Sequence, residues 1–339
     1  MGELLTQPLS WGSFLTFALM AIVLLLVILF MVTYAIYAER KILGYMQSRI
    51  GPNRTGKFGL LQTPADVLKL LIKEDTIPQK ADRPLFKIAP IISFVPSFVV
   101  LATIPYSENM YFANLDIGVL YYVALSGLST IGIVLGGWAS NNKYSLIGGM
   151  RSAAQLVSYA IPLVISAVGV VLMSGTMNLM AIVERQSGWF WNWNFIPQIL
   201  AFVVFVISAI AELNRTPFDL PEAESELVAG YHVEYSGFRF AIYMLTEYVY
   251  MIAMSALITT LFFGGWHAPA PFLEFIPGFI WFLLKFCGVF FFIIWLRGTM
   301  PRIRIDQLMS LGWRVLLPLS LANIFVTAIV MEIIKAING

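Results

Sequence analysis

The chain has 339 residues, of which 59% are hydrophobic and 12% are charged, and its mean hydropathy is +0.81. This composition excludes a soluble globular domain and is typical of a polytopic membrane protein, so we predict an all-α membrane fold. The net charge of +2 indicates no nucleic-acid partner, and the single cysteine cannot form a disulfide within the chain.

Eight apolar segments predict eight transmembrane helices within one integral membrane domain, residues 1–339. The predicted spans cover about 11–38, 85–106, 118–138, 154–174, 196–213, 239–266, 276–297 and 314–336. The first is longer than the ~20 residues that a bilayer requires, so it must tilt or project. The second contains Pro90, Pro96 and Pro105 and should be kinked or broken.

The basic residues predict the orientation of the chain in the membrane. Loops that follow the odd-numbered spans hold 18 of the 21 lysines and arginines. By the positive-inside rule, both termini then lie outside and the loop after the fifth span lies in the cytoplasm. Trp189, Trp191, Trp193 and Trp266 would form an aromatic belt at the outer interface.

The longest inside segment, residues 39–84, begins with a basic stretch and continues as LLQTPADVLKLLIKEDT (60–76). Leu61, Val67 and Leu68 fall roughly on one side of a helix here, and Asp66 falls elsewhere. The pattern predicts an amphipathic helix that lies in the membrane interface. A plain surface anchor is the alternative.

A short acidic loop, residues 212–235, interrupts the apolar sequence, and Arg215 is its only opposing charge. Its acidic residues are Glu212, Asp219, Glu222, Glu224, Glu226 and Glu234. Neighbouring carboxylates raise one another's pKa and titrate as a coupled set, so we interpret the loop as a proton-handling cluster.

A second interpretation of this loop is an ordinary helix start. Asp219 and Glu222 have the spacing of a capping box. A helix from about Leu220 would place Asp219, Glu222 and Glu226 on one face and Glu224 nearly opposite. A cap requires only one or two acidic residues, which favours the proton-handling interpretation.

Charge well inside the predicted spans is sparse: Glu247 lies in the sixth span and Lys285 in the seventh. A charge at the bilayer centre costs ~2.5–3.5 kcal/mol on insertion scales, so each should face a partner or water. A structural pairing of the two residues and a functional use of each are both open.

The chain offers no site for a redox centre of its own. His232 and His267 are predicted on opposite sides of the membrane and cannot jointly hold a haem, and Cys287 alone cannot hold an iron–sulfur cluster. No dinucleotide or phosphate loop is present, and the glycines at 148–150 and 264–266 indicate packing or turns. We therefore expect no haem, metal or flavin here, and electron transfer must come from a partner.

Four long motifs resemble the H subunit of NADH-quinone oxidoreductase, respiratory complex I, and the similarity extends over essentially the whole chain. They are AERKILGYMQSRIGPN (38–53), GGMRSAAQLVSY (148–159), AELNRTPFDLPEAESELVAGYHVEYSG (211–237) and PRIRIDQLM (301–309). Related subunits of membrane-bound hydrogenase complexes are matched less well.

The resemblance implies a subunit that joins the membrane arm to the hydrophilic arm, with ubiquinone or menaquinone as substrate and an iron–sulfur cluster in a partner subunit. The implied quinone-chamber residues are Glu39, Arg40, Arg49, Asp66, Lys69 and Arg215. The implied acidic proton path comprises Glu212, Asp219, Glu222, Glu224, Glu226, Glu234 and Glu247. Arg302 and Asp306 match the last inside loop, where they would fix the loop through ion pairs.

One position departs from the family pattern. The family usually has a glutamate directly after the Ser-Tyr of the second motif, and this chain has Ala160. Alanine cannot carry a proton, so water or another carboxylate must bridge this position, or coupling is weaker.

The sequence therefore predicts a membrane subunit of a proton-translocating quinone reductase in a bacterial plasma membrane. Its expected partners are iron–sulfur quinone-site subunits on the inside face, small membrane subunits beside it, and lipid. One alternative is the membrane anchor of a hydrogenase-type complex. Another is a stand-alone ion transporter that uses Glu247 and Lys285 as an intramembrane site.

Overall fold

The structure, a computed structural model, describes residues 11–221 and 224–338, and this part of the chain is helical without a named strand. The α-helices are α1 (Trp11–Met46), α2 (Gln62–Ile72), α3 (Arg83–Val100), α4 (Gly118–Ala139), α5 (Lys143–Ser174), α6 (Leu179–Glu184), α7 (Ile199–Glu212), α8 (Glu224–Leu227), α9 (Gly237–Phe262), α10 (Gly278–Thr299), α11 (Ile305–Ser310) and α12 (Leu317–Asn338). A π-helical segment, Leu311–Leu316, joins the last two. The predicted all-α fold is confirmed.

Within the described residues, seven helices are long and apolar enough to cross a membrane, so the predicted count of eight is approximate. The fifth predicted span is the exception. It forms α7, which has 14 residues, or roughly 21 Å of helix, against a hydrocarbon core of about 30 Å. The chain before it, residues 196–198, is turn rather than helix.

Several helices extend beyond their predicted spans. α1 continues to Met46 and so carries Glu39 and Arg40 on a regular helix. α5 begins at Lys143, so the second motif is helical throughout. α3 runs through Pro90 and Pro96 without interruption of the helix and leads into a 3₁₀ turn, Leu101–Thr103, that ends before Pro105.

The centre of the bundle is α9. Its second half is buried at nearly every position from Val249 to Phe262, so the helix is surrounded by others on all sides. The first half faces α3 and α4: Tyr243 donates a hydrogen bond to the Gly132 carbonyl at 3.3 Å. α9 therefore runs from the acidic-loop end of the bundle to the opposite end of the core.

Glycines allow α4, α5 and the acidic loop to approach closely. A Cβ on Gly148 would lie 2.7 Å from the backbone nitrogen of Tyr231, and a Cβ on Gly137 would lie 2.7 Å from the Ser145 carbonyl. The glycines of the GGM segment are thus packing glycines. They fix the 3₁₀ turn Gly230–His232 directly against α5.

The acidic loop does not form the helix expected from Leu220. Leu220 and Pro221 lie in a turn, and the described part of this loop holds the four-residue α8 and the 3₁₀ turn Gly230–His232. The Phe218 nitrogen donates to the Arg215 carbonyl at 2.8 Å, and the Leu220 nitrogen donates to the Phe218 carbonyl at 3.0 Å. These turn hydrogen bonds replace a helix start at Leu220. Glu222, the second member of the capping-box pattern, lies outside the described residues.

The predicted amphipathic helix is confirmed as α2. Its apolar residues Leu68, Leu71 and Ile72 remain exposed at 59%, 53% and 85%. On the other side, Asp66 forms an ion pair with Arg40 of α1 at 2.5 Å. α2 is therefore attached to the bundle through its polar side.

Candidate functional site

The candidate site is centred on Glu39, a carboxylate of α1 that is only 3% exposed. It accepts a hydrogen bond from Arg215 at 3.3 Å and forms a close ion pair with Arg297 in the last turn of α10. Three separate parts of the chain thus meet at one buried carboxylate.

Arg215 lies between two carboxylates. Its second guanidinium nitrogen is 3.8 Å from Glu247 of α9, and its guanidinium carbon is 4.6 Å from the centroid of the Tyr248 ring. The residue is 6% exposed. One buried cation therefore links the carboxylate of α1 to that of α9, and the ring of Tyr248 adds a cation–π contact.

The backbone around Arg215 is held by Gln155 of α5. Its amide nitrogen donates hydrogen bonds to the carbonyls of Ala211 at 2.7 Å and Phe218 at 2.8 Å, and to the side chain of Asn214 at 3.1 Å. Asn214 has a positive φ of 52°, a conformation in which asparagine is enriched. α7 thus ends sharply, and Arg215 is directed into the bundle.

A small cavity of about 30 Å³ lies beside this charge network. Glu247 lines it and accepts a hydrogen bond from the Tyr231 hydroxyl at 3.1 Å. Glu212, the last residue of α7, lines the same cavity, together with Ser126, Ser129 and Thr246. We call this the inner cavity. It brings two of the predicted proton-path carboxylates to one volume.

The remaining members of the acidic loop are held apart by separate partners. Asp219 forms an ion pair with Arg302 at 3.0 Å, and Glu226 forms one with Arg151 at 2.7 Å. Glu234 accepts a hydrogen bond from the Asn142 side chain at 2.6 Å. Asp219, Glu226 and Glu234 therefore each have a partner of their own. The side chains of Glu222 and Glu224 lie outside the described residues.

The predicted quinone-chamber residues divide into two groups. Glu39 and Arg215 are buried and in contact, as described above. Arg40 of α1 and Asp66 of α2 form an ion pair with each other. Arg49 and Lys69 are exposed.

Arg302 and Asp306 do not pair with each other. Arg302 ties the loop between α10 and α11 to the acidic loop through Asp219, and the Ile303 nitrogen donates to the Pro217 carbonyl at 3.1 Å. Asp306 forms an exposed ion pair with Arg304 at 3.3 Å. Arg302 is thus positioned to join two loops, whereas Asp306 makes a local contact.

The open possibility that Glu247 pairs with Lys285 is wrong. The Lys285 ammonium donates to the carbonyls of Phe263, Gly265 and His267 at 2.7, 3.0 and 2.6 Å. These carbonyls follow α9, whose length separates them from Glu247 by roughly 24 Å. Lys285 also lies 4.0 Å from the centroid of the Trp193 ring. It therefore satisfies carbonyls at the C-terminal end of a helix, where a cation is favoured.

Two loop residues near the ends of α9 have shifted pKa values. Burial lowers the pKa of His267 below 6.5, and the Lys285 ammonium lowers it further. Burial raises the pKa of Tyr235 to about 12. Tyr235 stacks on Phe86 with ring centroids 4.0 Å apart. It therefore remains a neutral phenol.

Three residues of the site are not predicted from the sequence: Arg297, Tyr231 and Gln155. The positive-inside rule places an arginine at the end of a span whether its side chain faces solvent or the bundle. The sequence therefore predicts Arg297 only as a charge of the loop after the seventh span. Gln155, a polar residue in an apolar helix, is the one available signal. In the described part of the chain, no group of three or more His, Cys, Asp or Glu could hold a metal ion.

A family profile and full-length relatives indicate the same family for this chain. The family profile described as NADH dehydrogenase matches residues 19–328. The NADH-quinone oxidoreductase H subunit of Brevibacillus brevis is 61% identical over 332 residues, which cover 98% of this chain and 98% of the relative. The H subunit of Geobacillus kaustophilus is 62% identical over 322 residues, covering 95% and 96%. That of Bacillus mycoides is 60% identical over 331 residues, covering 97% and 98%.

Proposed function

The chain belongs to the family of NADH-quinone oxidoreductase H subunits, and from this premise we propose that it forms the lipid-side quinone chamber of complex I and the start of its proton path. It is a membrane subunit of an oxidoreductase whose substrate is a quinone, and it acts together with the other subunits of that complex. Electrons reach the quinone from an iron–sulfur cluster in a partner subunit on the inside face.

The observation that carries the proposal is the position of Arg215 between Glu39 and Glu247. Glu39 and its neighbour Arg40 belong to the proposed chamber, and Glu247 lines the inner cavity. A change of charge in the chamber alters how strongly Arg215 is held by Glu39. The same change alters the attraction between Arg215 and Glu247, so redox chemistry and protonation are coupled through one guanidinium.

The quinone reaches the chamber from the bilayer beside α2. The exposed leucines of α2 provide an apolar surface for the isoprenoid tail, and the Arg40–Asp66 ion pair fixes the helix to α1. Arg49 and Lys69 border the inside opening. Addition of two electrons to the quinone creates negative charge, which attracts the nearby arginines and is neutralised by two protons.

The proton path begins at Glu247 when Arg215 turns towards the reduced quinone. Without its cation, the Glu247 carboxylate favours the protonated form and takes up a proton from the inside. Tyr231 donates a hydrogen bond to Glu247, and Glu212 lines the same cavity. The loop acids Asp219, Glu222, Glu224, Glu226 and Glu234 supply protons from the cytoplasm. Both termini lie outside, in the plasma membrane of a bacterium, with small membrane subunits alongside.

The two alternative functions receive no support from the geometry. A stand-alone transporter would use Glu247 and Lys285 as one site, and these residues do not meet. A hydrogenase-type anchor would leave the Glu39–Arg215–Glu247 link without a quinone to respond to.

A substitution of Arg215 tests the proposal in membrane vesicles that contain the assembled complex. Arg215→Gln removes the charge that joins Glu39 to Glu247, and we expect inhibitor-sensitive, NADH-driven quinone reduction to fall by ~10²-fold, the lower range for loss of a group that acts in proton transfer. Arg239→Gln is the matched control, because Arg239 also forms an inside ion pair, with Asp75 at 3.1 Å, away from the site. Equal activity of the two variants, normalised to assembled complex, would refute the proposal.

A further inference from the structure

A cavity of about 660 Å³ lies between α7 and α10 on the side of the bundle. α10 packs against α1 and α9, whereas the short α7 packs against α5 and α12, so a gap remains between the two helices. Ile258 of α9 closes the back of this gap, and Phe263, which follows α9, closes one end. We call this space the side groove.

The side groove extends from the surface of the bundle to its core. At the mouth, Val203 of α7 and Phe292 of α10 are 47% and 41% exposed. At the back, Ile258 and Ile293 are only 1% and 2% exposed. A Cβ added to Gly288 of α10 would meet no atom within 4 Å, so this glycine keeps the groove wide.

The chemistry of the walls selects hydrocarbon. Among the described residues that line the side groove, Lys285 is the only one with a polar side chain. Its ammonium donates to three backbone carbonyls at 2.7, 3.0 and 2.6 Å, so all three of its hydrogens are engaged. A buried water molecule needs two to four polar partners, and the side chains of these walls do not supply them. A groove of this kind that faces the bilayer therefore takes up an apolar chain.

The dimensions of the side groove fit one lipid chain and not a neighbouring helix. Its lining on α10 extends from Lys285 to Leu296. This is roughly 16 Å of helix, about half of the ~30 Å hydrocarbon core and hence the depth of one leaflet. A helix about 10 Å wide would take roughly 1,250 Å³ over the same length, about twice the volume of the groove. A phospholipid chain is one leaflet deep and much thinner.

Exposed arginines mark the end of the groove at which the lipid head group would lie. Leu296 at this end belongs to one buried cluster with Leu308 and Leu316. The segments that carry these two leucines begin at or contain Arg304 and Arg314, which are both exposed. Arginine side chains bind phosphate oxygens well. The lysine ammonium at the other end, in contrast, has no hydrogen left to donate to a phosphate.

We propose that the side groove binds one acyl chain of a membrane phospholipid, with the phosphate at the arginine end and the methyl end of the chain near Phe263 and Lys285. The chain fills the space beside the short α7 and joins α7 to α10, as a structural component of the subunit. Binding of this chain is independent of the proposed function, because it involves no change of charge at Arg215.

Photolabelling of the assembled complex in membrane vesicles tests the proposal. The probe is a phosphatidylglycerol with a diazirine near either the carbonyl end or the methyl end of one acyl chain, and mass spectrometry of the peptides locates the labelled residues. We expect label on Ile258 and Ile293, which a lipid on the outer surface of the bundle cannot reach. The methyl-end probe should label Phe263, and the carbonyl-end probe should label Leu296. Phe282, which is 3% exposed on α10 and does not line the groove, should stay unlabelled.

A variant that fills the groove gives the matched comparison. Gly288→Phe places a ring in the groove, and we expect the label on Ile258 and Ile293 to be lost. Cys287→Phe is the control, because Cys287 is the neighbouring exposed residue on α10 and does not line the groove. This control should keep the wild-type label.

Three results would overturn the proposal. One is a wild-type map with label on Phe291, which is 50% exposed on α10, and none on Ile258 or Ile293. Another is an unchanged label on these two isoleucines in Gly288→Phe. The third is loss of their label with excess ubiquinone-10 but not with excess unlabelled phosphatidylglycerol, which would assign the groove to a quinone tail. If Gly288→Phe does not assemble, the wild-type map and the competition decide the question.

Discussion

Two cations lie beside helix α9, and they are neutralised in different ways. Arg215, next to Glu247 in the first half of α9, is shared by the carboxylates of Glu39 and Glu247. Lys285, which is half-buried, donates to three backbone carbonyls beyond the C-terminal end of α9. Carbonyl oxygens are fixed dipoles that do not titrate, whereas carboxylates accept protons. The Lys285 centre is therefore built to stay constant, and the Arg215 centre can change its charge.

The difference shows why burial of a charge in a membrane helix does not by itself indicate function. Both cations are withdrawn from solvent, Arg215 fully and Lys285 in part, and both have polar partners that offset the desolvation cost. What separates them is whether the partners can change protonation state. The variants below test this distinction from each side.

The largest effect is expected for Glu39→Gln. The change leaves the buried Arg215 and the partly exposed Arg297 with one fewer carboxylate, and breaking a buried ion pair such as Arg215–Glu39 costs about 3–5 kcal/mol. We expect a lower yield of assembled complex and a lower midpoint of thermal dissociation in detergent. Glu332→Gln is the control, because Glu332 pairs with Lys335 on the exposed surface. Similar midpoints for the two variants would contradict the buried-network interpretation.

A smaller effect is expected for Lys285→Met, which keeps the apolar stem and removes the ammonium. The carbonyls of Phe263, Gly265 and His267 lose their donor, and an unsatisfied buried acceptor costs about 1–3 kcal/mol. We therefore expect a total loss of unfolding free energy in that range. The thermal midpoint should fall while quinone reduction per assembled complex stays at the wild-type level. A specific loss of quinone reduction would show that Lys285 is functional and would remove the contrast with Arg215.

A third comparison uses two acids of the same loop. The Asp219 side chain is 14% exposed beside Arg302, and that of Glu226 is 53% exposed beside Arg151. A hydrogen bond to a charged group is worth ~1.5–3 kcal/mol when buried, whereas an exposed ion pair is worth about 0–1 kcal/mol. We expect Asp219→Asn to reduce proton translocation more than Glu226→Gln. Equal effects in a translocation assay would indicate that the loop acids act by total charge and not by position.

These contrasts also show what the sequence could and could not predict. The length of the apolar segments predicted the helices. The resemblance and the cost of burying charge predicted the candidate residues Glu39, Arg215, Glu212 and Glu247. The partner of each charge did not, because it depends on how distant helices cross. Lys285 illustrates this point: its partners are carbonyls that become available only because α9 ends at Phe262. The identity of a residue does not show whether its backbone carbonyl will be free to accept a hydrogen bond from a distant side chain.

The smallest effect is a pH dependence beyond the C-terminal end of α9. The pKa of His267 is lower in the folded protein than its ordinary value of 6.5, chiefly because of burial and then because of Lys285, although Glu108 and Glu274 oppose the shift. A lowered histidine pKa stabilises the fold fully above about pH 6.5, and this contribution is lost as the pH falls through the lower folded value. Between roughly pH 7.5 and pH 5.5, on either side of the ordinary histidine value, the wild-type thermal midpoint should fall more than that of His267→Gln. Parallel curves would show that His267 does not report on the Lys285 centre. A larger fall of the thermal midpoint in the wild type than in His267→Gln would show that His267 titrates beside Lys285, whose own carbonyl partners cannot titrate.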